Sequence, residues 1–210
     1  MTPISPAAAV QEKETGRVEA FSDGVFAIAI TLLVLELKVP HLPAGAPAPA
    51  LGAALLAEWP SYLALVTSFF AILIMWANHH AMFNMIRRVN APFLYANGFL
   101  LFVVTIVPFP TALLAEYLDR PAAPLAAAVY GGTFVAGAAA YNVLWRSAIA
   151  GRHLLRSDVS EERIDKMTRS YRVGVPLYLV ATAGAFLHPA ITIGICTALW
   201  VYWVATSRMV

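Results

Sequence analysis

Long apolar segments alternate with short polar ones along almost the whole chain. Six of them can supply a membrane-spanning helix, which needs about 20 residues, although the last two are short. They cover residues 18–39, 60–84, 93–115, 124–147, 170–187 and 190–206. The strict two-residue alternation of a membrane β-barrel is absent, so the backbone has to be satisfied within helices. The pattern predicts an all-α, polytopic membrane protein with six transmembrane helices.

Proline marks where this helical domain begins and where one of its helices breaks. Residues 1–15 are rich in proline and alanine, and they predict a disordered cytoplasmic tail before a single transmembrane domain over residues 16–210. Pro108 and Pro110 fall inside the third apolar segment. Proline lacks the backbone N–H and clashes with the preceding turn, so we expect this helix to kink or break.

Composition and charge agree with a membrane location and set the orientation. Of 210 residues, 60% are hydrophobic and 12% charged, with a mean hydropathy of +0.71, whereas soluble domains are about one quarter charged. With the N-terminus inside, 12 of the 14 lysines and arginines face the cytoplasm, and only Lys38 and Arg120 lie outside. The positive-inside rule therefore predicts cytoplasmic N- and C-termini, and no nucleic-acid partner is needed to explain the charge.

The first apolar segment has two different faces. It begins with the motif Arg17-x-x-x-Phe21-Ser22-Asp23. At about 100° per residue, Ile28, Leu32 and Leu35 fall within about 40° of one line along the helix, while Ser22 and Asp23 lie about 120° and 140° away. A charged side chain in a membrane helix faces protein or water, so the Asp23 side is predicted to be packed. The aliphatic stripe is left to face lipid, another subunit or a pore.

Polar side chains at the inner end of the second segment are the expected partners of Asp23. An antiparallel hairpin brings them to the same depth, and Trp76, His79 and His80 share one helix face. Arg17 lies about 120° from Asp23 on its own helix, so we expect it to contact lipid phosphates or the aspartate of a neighbouring subunit. The expected hydrogen-bond network joins Ser22, Asp23, Trp76, Asn78 and one of the two histidines.

The adjacent histidines do not predict a metal site. His79 and His80 project about 100° apart on a helix, which seldom allows two residues to ligate one ion. A structural network is favoured, with pH sensing as the second interpretation. The His-Glu-x-x-His pattern is absent, and Ser68 lies in no Gly-x-Ser-Gly context. We therefore expect neither an enzyme nor a cofactor.

Two motifs closely resemble the transmembrane protein 175 family: the Arg-x-x-x-Phe-Ser-Asp segment with the Gly-Val-Phe-Ala-Ile-Ala-Ile-Thr-Leu run after it, and Trp76-x-Asn78-His79-His80. The resemblance extends to the six-span layout of essentially the whole chain. Its members are potassium-permeable channels, in lysosomes of animals and in the plasma membrane of bacteria. The resemblance implies a homotetrameric potassium channel of the plasma membrane.

The resemblance also implies roles for individual residues. Ile28, Leu32 and Leu35 match the hydrophobic pore constriction of the first helix, and Thr31 matches a hydroxyl layer that assists selectivity. The residues that match the motif for packing and pore architecture are Arg17, Phe21, Ser22 and Asp23. No Thr-Val-Gly-Tyr-Gly filter occurs, so selection of K⁺ would come from partial dehydration at an apolar neck.

One alternative is a proton-coupled secondary transporter that uses Asp23 with His79 or His80 as a proton relay. Transporters of this kind have broken helices near the membrane midplane. Only Pro108 and Pro110 suggest such a break, and no polar residue is expected to accompany them. A purely structural membrane protein is the remaining alternative.

Overall fold

The computed structural model describes the backbone of residues 6–150 and 152–207 and the side chains of 15–150 and 152–204. Over these residues the fold is all-helical, with one isolated antiparallel bridge between Ile86 and Leu155. Two 3₁₀ turns are also present, at Leu33–Glu36 and Arg152–Leu154. The α-helices are α1 Pro6–Leu32, α2 Ala48–Ala57, α3 Trp59–Phe83, α4 Ala91–Ile106, α5 Pro108–Tyr117, α6 Ala123–Ala150, α7 Glu161–Gly184 and α8 Pro189–Ser207.

The first helix begins earlier than predicted. α1 starts at Pro6, within the residues 1–15 that were predicted as a disordered tail, and residues 1–5 lie outside the described residues. The physical reason is the run of alanines at positions 7–9, since alanine has the highest helix propensity. Proline is tolerated in the first helical turn because its missing N–H would have no intrahelical partner there.

Within the part of the chain that the structure describes, four helical segments are long and apolar enough to cross a membrane. They are Thr15–Glu36, Trp59–Phe83, Ala91–Tyr117 and Ala123–Ala150. α8 is apolar over the shorter range Pro189–Val204, and the first half of α7 is rich in charged residues. The structure therefore supports membrane helices in the first four predicted positions, and the count of six stays a prediction.

The third predicted span is broken, as its prolines indicated. α4 ends at Ile106 and α5 begins at Pro108. Val107 between them keeps helical dihedral angles and donates to the Val104 carbonyl over 3.2 Å. Pro108 and Pro110 cannot continue the ladder of backbone hydrogen bonds, and this interrupts the helix.

The hydrophobic core contacts one face of α1 and holds the helix in place through that face. α1 packs mainly on α3 and α4, and Phe26 and Leu33 enter a cluster that includes Phe93, Leu100 and Trp145. A second cluster joins α6, α7 and α8 on the far side of the bundle. Among the described residues, no helix of the same chain packs over the other face of α1.

Candidate site on the two faces of the first helix

The exposure of α1 changes sharply from one side to the other. Phe26 and Leu33 are 1% and 0% exposed, in contact with the bundle core. On the opposite side, Ile28, Leu32 and Leu35 are 60%, 41% and 72% exposed. Large aliphatic side chains therefore form an uncovered stripe along α1 and the 3₁₀ turn that follows it.

A buried polar cluster around Ser22 fixes α1 against two neighbouring helices. Asn97 of α4 donates from Nδ2 to Ser22 Oγ over 3.0 Å, and its Oδ1 lies 2.9 Å from His79 Nε2 of α3. The Ser22 hydroxyl in turn donates to the Val18 carbonyl. All three side chains of the cluster are at most 2% exposed. Because buried polar groups are costly without partners, this trio fixes the register of α1, α3 and α4.

Sequence reasoning did not identify Asn97 as part of the site. It is a single polar residue in the apolar third segment, and its two partners come from different helices. A usable signal was present, since an amide inside a membrane helix requires a hydrogen-bond partner.

Asp23 is held by Trp76, the first residue of the second sequence motif. Trp76 Nε1 donates to Asp23 Oδ1 over 2.8 Å. The Trp76 ring stacks on His80, with ring centroids 5.8 Å apart, and His80 Nδ1 lies 3.1 Å from Glu19 Oε1. The adjacent histidines therefore have different surroundings: His79 is fully buried, whereas His80 is exposed beside Glu19.

The remaining motif residues are not brought into this cluster. Asn78 donates to the Ile74 carbonyl of its own helix and lines a cavity of about 50 Å³ with Tyr141 and Tyr171. Arg17 is exposed, and Phe21 is 67% exposed. Both lie on the uncovered side of α1.

Thr31 adds a hydroxyl to that uncovered side. Its side chain is exposed, and Oγ1 donates to the Ile28 carbonyl over 2.9 Å. This bond uses the only hydroxyl proton, so the oxygen lone pairs remain as acceptors.

Polar side chains do lie beside the helix break between α4 and α5, contrary to the sequence expectation. Thr111 Oγ1 donates to Ser68 Oγ over 2.7 Å, and Ser68 Oγ lies 3.3 Å from the Tyr130 hydroxyl. Tyr130 reaches Thr67 as well, and the cluster is buried between α3, α5 and α6. The cluster was missed because its members are far apart in sequence. It holds the break together with neutral hydroxyls and contains no ionisable carboxylate.

Glu116 of α5 forms two ion pairs. Glu116 pairs with both Lys38 and Arg120, at 2.7 Å in the second case. These two are the basic residues that the predicted topology places outside. Glu36 and Asp119 line a cavity together with these three residues.

The fold and the site define a polytopic α-helical membrane protein whose first helix keeps an apolar face outside its own bundle. Residues 17–108 match the family described as the endosomal/lysosomal potassium channel TMEM175. A potassium channel of Chamaesiphon minutus is 50% identical over 200 residues, covering 95% of this chain and 98% of that channel. The chain belongs to the TMEM175 family.

Further similarities support this assignment. A potassium channel of Streptomyces collinus is 44% identical over 194 residues, or 90% of this chain and 91% of that protein. The crystal structure of a lysosomal potassium-selective channel TMEM175 homolog from Chamaesiphon minutus superimposes with a TM-score of 0.83 at 51% identity. That match covers 93% of this chain and 98% of the other. The protein is thus grouped with ion channels and is not an enzyme.

Proposed function

We propose that this protein is a potassium-permeable cation channel of the plasma membrane, formed by four copies of the chain around one ion pathway. The observation that carries the proposal is the uncovered aliphatic stripe of α1, opposite a face fixed by hydrogen bonds. Its full-length relatives in bacteria are named potassium channels. No cofactor is part of the proposal, and K⁺ is the permeant ion.

A tetramer is proposed because one chain cannot enclose an ion pathway by itself. One α1 offers a single wall, with Ile28 and Leu35 at least 60% exposed, and further copies are needed to enclose a pore. Four copies are the number that the family resemblance implies. In such an assembly the α1 helices surround the axis, and the remaining helices separate them from lipid.

The constriction is formed by Ile28, Leu32 and Leu35, with Thr31 as a hydroxyl layer among them. An apolar neck offers no ligands to replace the hydration shell of an ion, so conduction depends on how readily the ion loses water. K⁺ is larger than Na⁺ and more weakly hydrated, and it passes such a neck more easily. This mechanism gives a moderate preference for K⁺.

The proposed topology has six transmembrane helices with both termini in the cytoplasm. α7 and α8 complete it by packing on α6, through side chains that include Tyr178 and Trp200. The charged first half of α7 then lies at the inner surface. The excess of basic residues on that side supports this orientation.

Ion flux from liposomes tests the proposal. Reconstituted wild-type protein is expected to release K⁺ under a gradient, and flux equal to that of empty vesicles would refute a channel. Leu32→Ser replaces an apolar wall with a smaller hydroxyl and is expected to raise Na⁺ flux relative to K⁺. Val201→Ser is the matched control, since Val201 is 67% exposed on α8, which packs on α3, α6 and α7.

The same liposomes distinguish the transporter alternative. A relay through Asp23 and His79 or His80 predicts flux that saturates at low solute concentration and follows an imposed proton gradient. A channel predicts flux that rises with the K⁺ gradient and needs no proton gradient.

A further inference from the structure

Three exposed arginines lie together where α6 and α7 pack against each other, and we infer that they bind the headgroup of an anionic phospholipid. They are Arg146 of α6 and Arg169 and Arg172 of α7. The leaflet that supplies the lipid, the cytoplasmic one, rests on the proposed topology. The binding itself does not depend on ion conduction.

Two hydrogen bonds fix how α6 and α7 lie against each other. Asn142 Nδ2 donates to the Tyr171 carbonyl over 2.7 Å. Trp145 Nε1 donates to Thr168 Oγ1 over 2.8 Å. Later residues of α6 thus meet earlier residues of α7, so the two helices are antiparallel, with Asn142 level with Tyr171.

Helical rotation places the three arginines on one side of this helix pair. Each of them directly follows a residue of those two contacts and is rotated from it by about 100°. Because the helices face each other and run in opposite directions, the same rotation turns all three arginines toward one side. Their exposure agrees, since the arginines are exposed whereas Trp145 and Tyr171 are 1% and 7% exposed.

The three arginines are also close in height along the helix pair. Since Asn142 is level with Tyr171, Arg172 is level with position 141 of α6 and Arg169 with position 144. Arg146 lies two residues further along α6. The three positions therefore span five residues, about 8 Å, a distance over which long flexible side chains can converge on one phosphate group.

No ion pair within the described residues involves any of these three arginines. The nearby Arg152 and Arg156 differ, because they pair with Glu161 and Asp158. Asp165 is the nearest carboxylate along α7, and it lies close to Arg152 instead. Positive charges held together without a counter-charge attract an anion, and this surface has three of them.

An exposed apolar strip continues from the arginines along the same side. Leu179 follows Arg172 by seven residues, two helical turns, so it lies about 10 Å further along α7 at nearly the same angle. Leu179 and Val180 are 52% and 60% exposed, and Val143 of α6 is 49% exposed. A phospholipid matches this arrangement, with acyl chains on the apolar strip and the phosphate at the guanidinium groups. A free phosphate ion would use the arginines alone.

This side of the subunit remains open to lipid in the proposed assembly. α1 packs mainly on α3 and α4, whereas the arginines and the strip belong to α6 and α7. With α1 toward the pore axis, the α6–α7 side faces the bilayer. The cytoplasmic leaflet carries the anionic lipids that attract basic groups near a membrane surface.

Lipid titration followed by native mass spectrometry tests the site. The whole chain in detergent is titrated with phosphatidylglycerol, and the bound lipids are counted per chain. Arg146→Gln with Arg172→Gln is expected to weaken binding by about 30-fold, or about fivefold for each arginine. Equal affinity of the wild-type protein for phosphatidylglycerol and zwitterionic phosphatidylcholine would overturn the inference.

The paired arginines provide a control with the same change in charge. Arg152→Gln with Arg156→Gln also removes two positive charges, but from side chains that already have carboxylate partners. Phosphatidylglycerol binding is expected to change by less than about twofold, because their charge is already balanced. Equal losses in the two double variants would indicate general attraction by net charge and would overturn the site. If the first double variant is unstable, Arg146→Gln alone is expected to show its fivefold loss.

A second pair of measurements distinguishes lipid from a free anion. Leu179→Ser is expected to weaken phosphatidylglycerol binding, and millimolar inorganic phosphate is expected to leave the lipid bound. Unchanged lipid affinity in Leu179→Ser, or displacement of the lipid by phosphate, would overturn a phospholipid as the ligand. K⁺ flux without a preference for phosphatidylglycerol would refute this site and leave the channel standing. Phosphatidylglycerol binding without K⁺ flux would refute the channel and leave this site.

Discussion

Leu32 ends α1 and Leu33 begins the 3₁₀ turn that follows it, yet these adjacent leucines belong to two different regions of the molecule. Leu33 is completely buried in the core with Phe26, whereas Leu32 is 41% exposed on the stripe with Ile28. The packed region also holds the conspicuous polar residues, Ser22 and Asp23, with their partners. The comparison teaches that the polar motif positions the helix, while the plain aliphatic face stays uncovered, as the proposed pore requires.

Replacing each of the two leucines by alanine is expected to give the largest difference in stability between the two regions. Leu33→Ala leaves a cavity in the core and is expected to lower the free energy of unfolding by about 2–5 kcal/mol. Leu32→Ala removes no contact with that core and is expected to change stability far less. Melting temperatures of both variants in detergent measure the difference. Equal losses would contradict the division of α1 into two faces.

The polar cluster on the packed face is the next target. Asn97→Leu leaves His79 Nε2 buried without its partner, at a cost of about 1–3 kcal/mol. Ser22 loses the donor Asn97 but keeps its own hydrogen bond to the Val18 carbonyl. A lower melting temperature is expected, with K⁺ flux lost in proportion to the protein that no longer folds. Asn78→Leu is the matched control, because Asn78 bonds only a carbonyl of its own helix. If both variants melt alike, the cluster does not fix α1.

Thr31 offers the mildest change, on the exposed face alone. Thr31→Val keeps the shape of the side chain and removes the hydroxyl, so stability is expected to stay within about 0.5 kcal/mol. The ratio of K⁺ to Na⁺ flux in liposomes is expected to fall modestly. An unchanged ratio would exclude Thr31 from selectivity and restrict the account to the aliphatic side chains.

The sequence allowed the two faces of α1 to be predicted because helical rotation is a local property. Counting 100° per residue separated Ile28, Leu32 and Leu35 from Asp23 before any neighbour was known. The break at Pro108 was predictable for the same reason, since proline acts on its own turn. The start of α1 at Pro6 was missed because composition was given more weight than the propensity of three alanines.

The hairpin of the first two segments predicted Trp76 as a partner of Asp23, but contacts that involve further helices could not be predicted in this way. Asn97, and the cluster of Ser68, Thr111 and Tyr130, each acquire their role from helices far away in the sequence. Only the packing of several helices in the folded bundle brings these groups together. A polar residue in an apolar span predicts that a partner exists but does not identify it.

Silver block tests most directly whether the uncovered stripe faces the ion. Ag⁺ is a small cation that reacts with thiols, and in a Cys196→Ala background Leu32→Cys places one thiol on the stripe. We predict that Ag⁺ abolishes K⁺ flux through this variant and leaves Val201→Cys conducting, although Val201 on α8 is more exposed in the single chain than Leu32. K⁺ flux through Leu32→Cys that persists in Ag⁺ would contradict the placement of α1 along the pore.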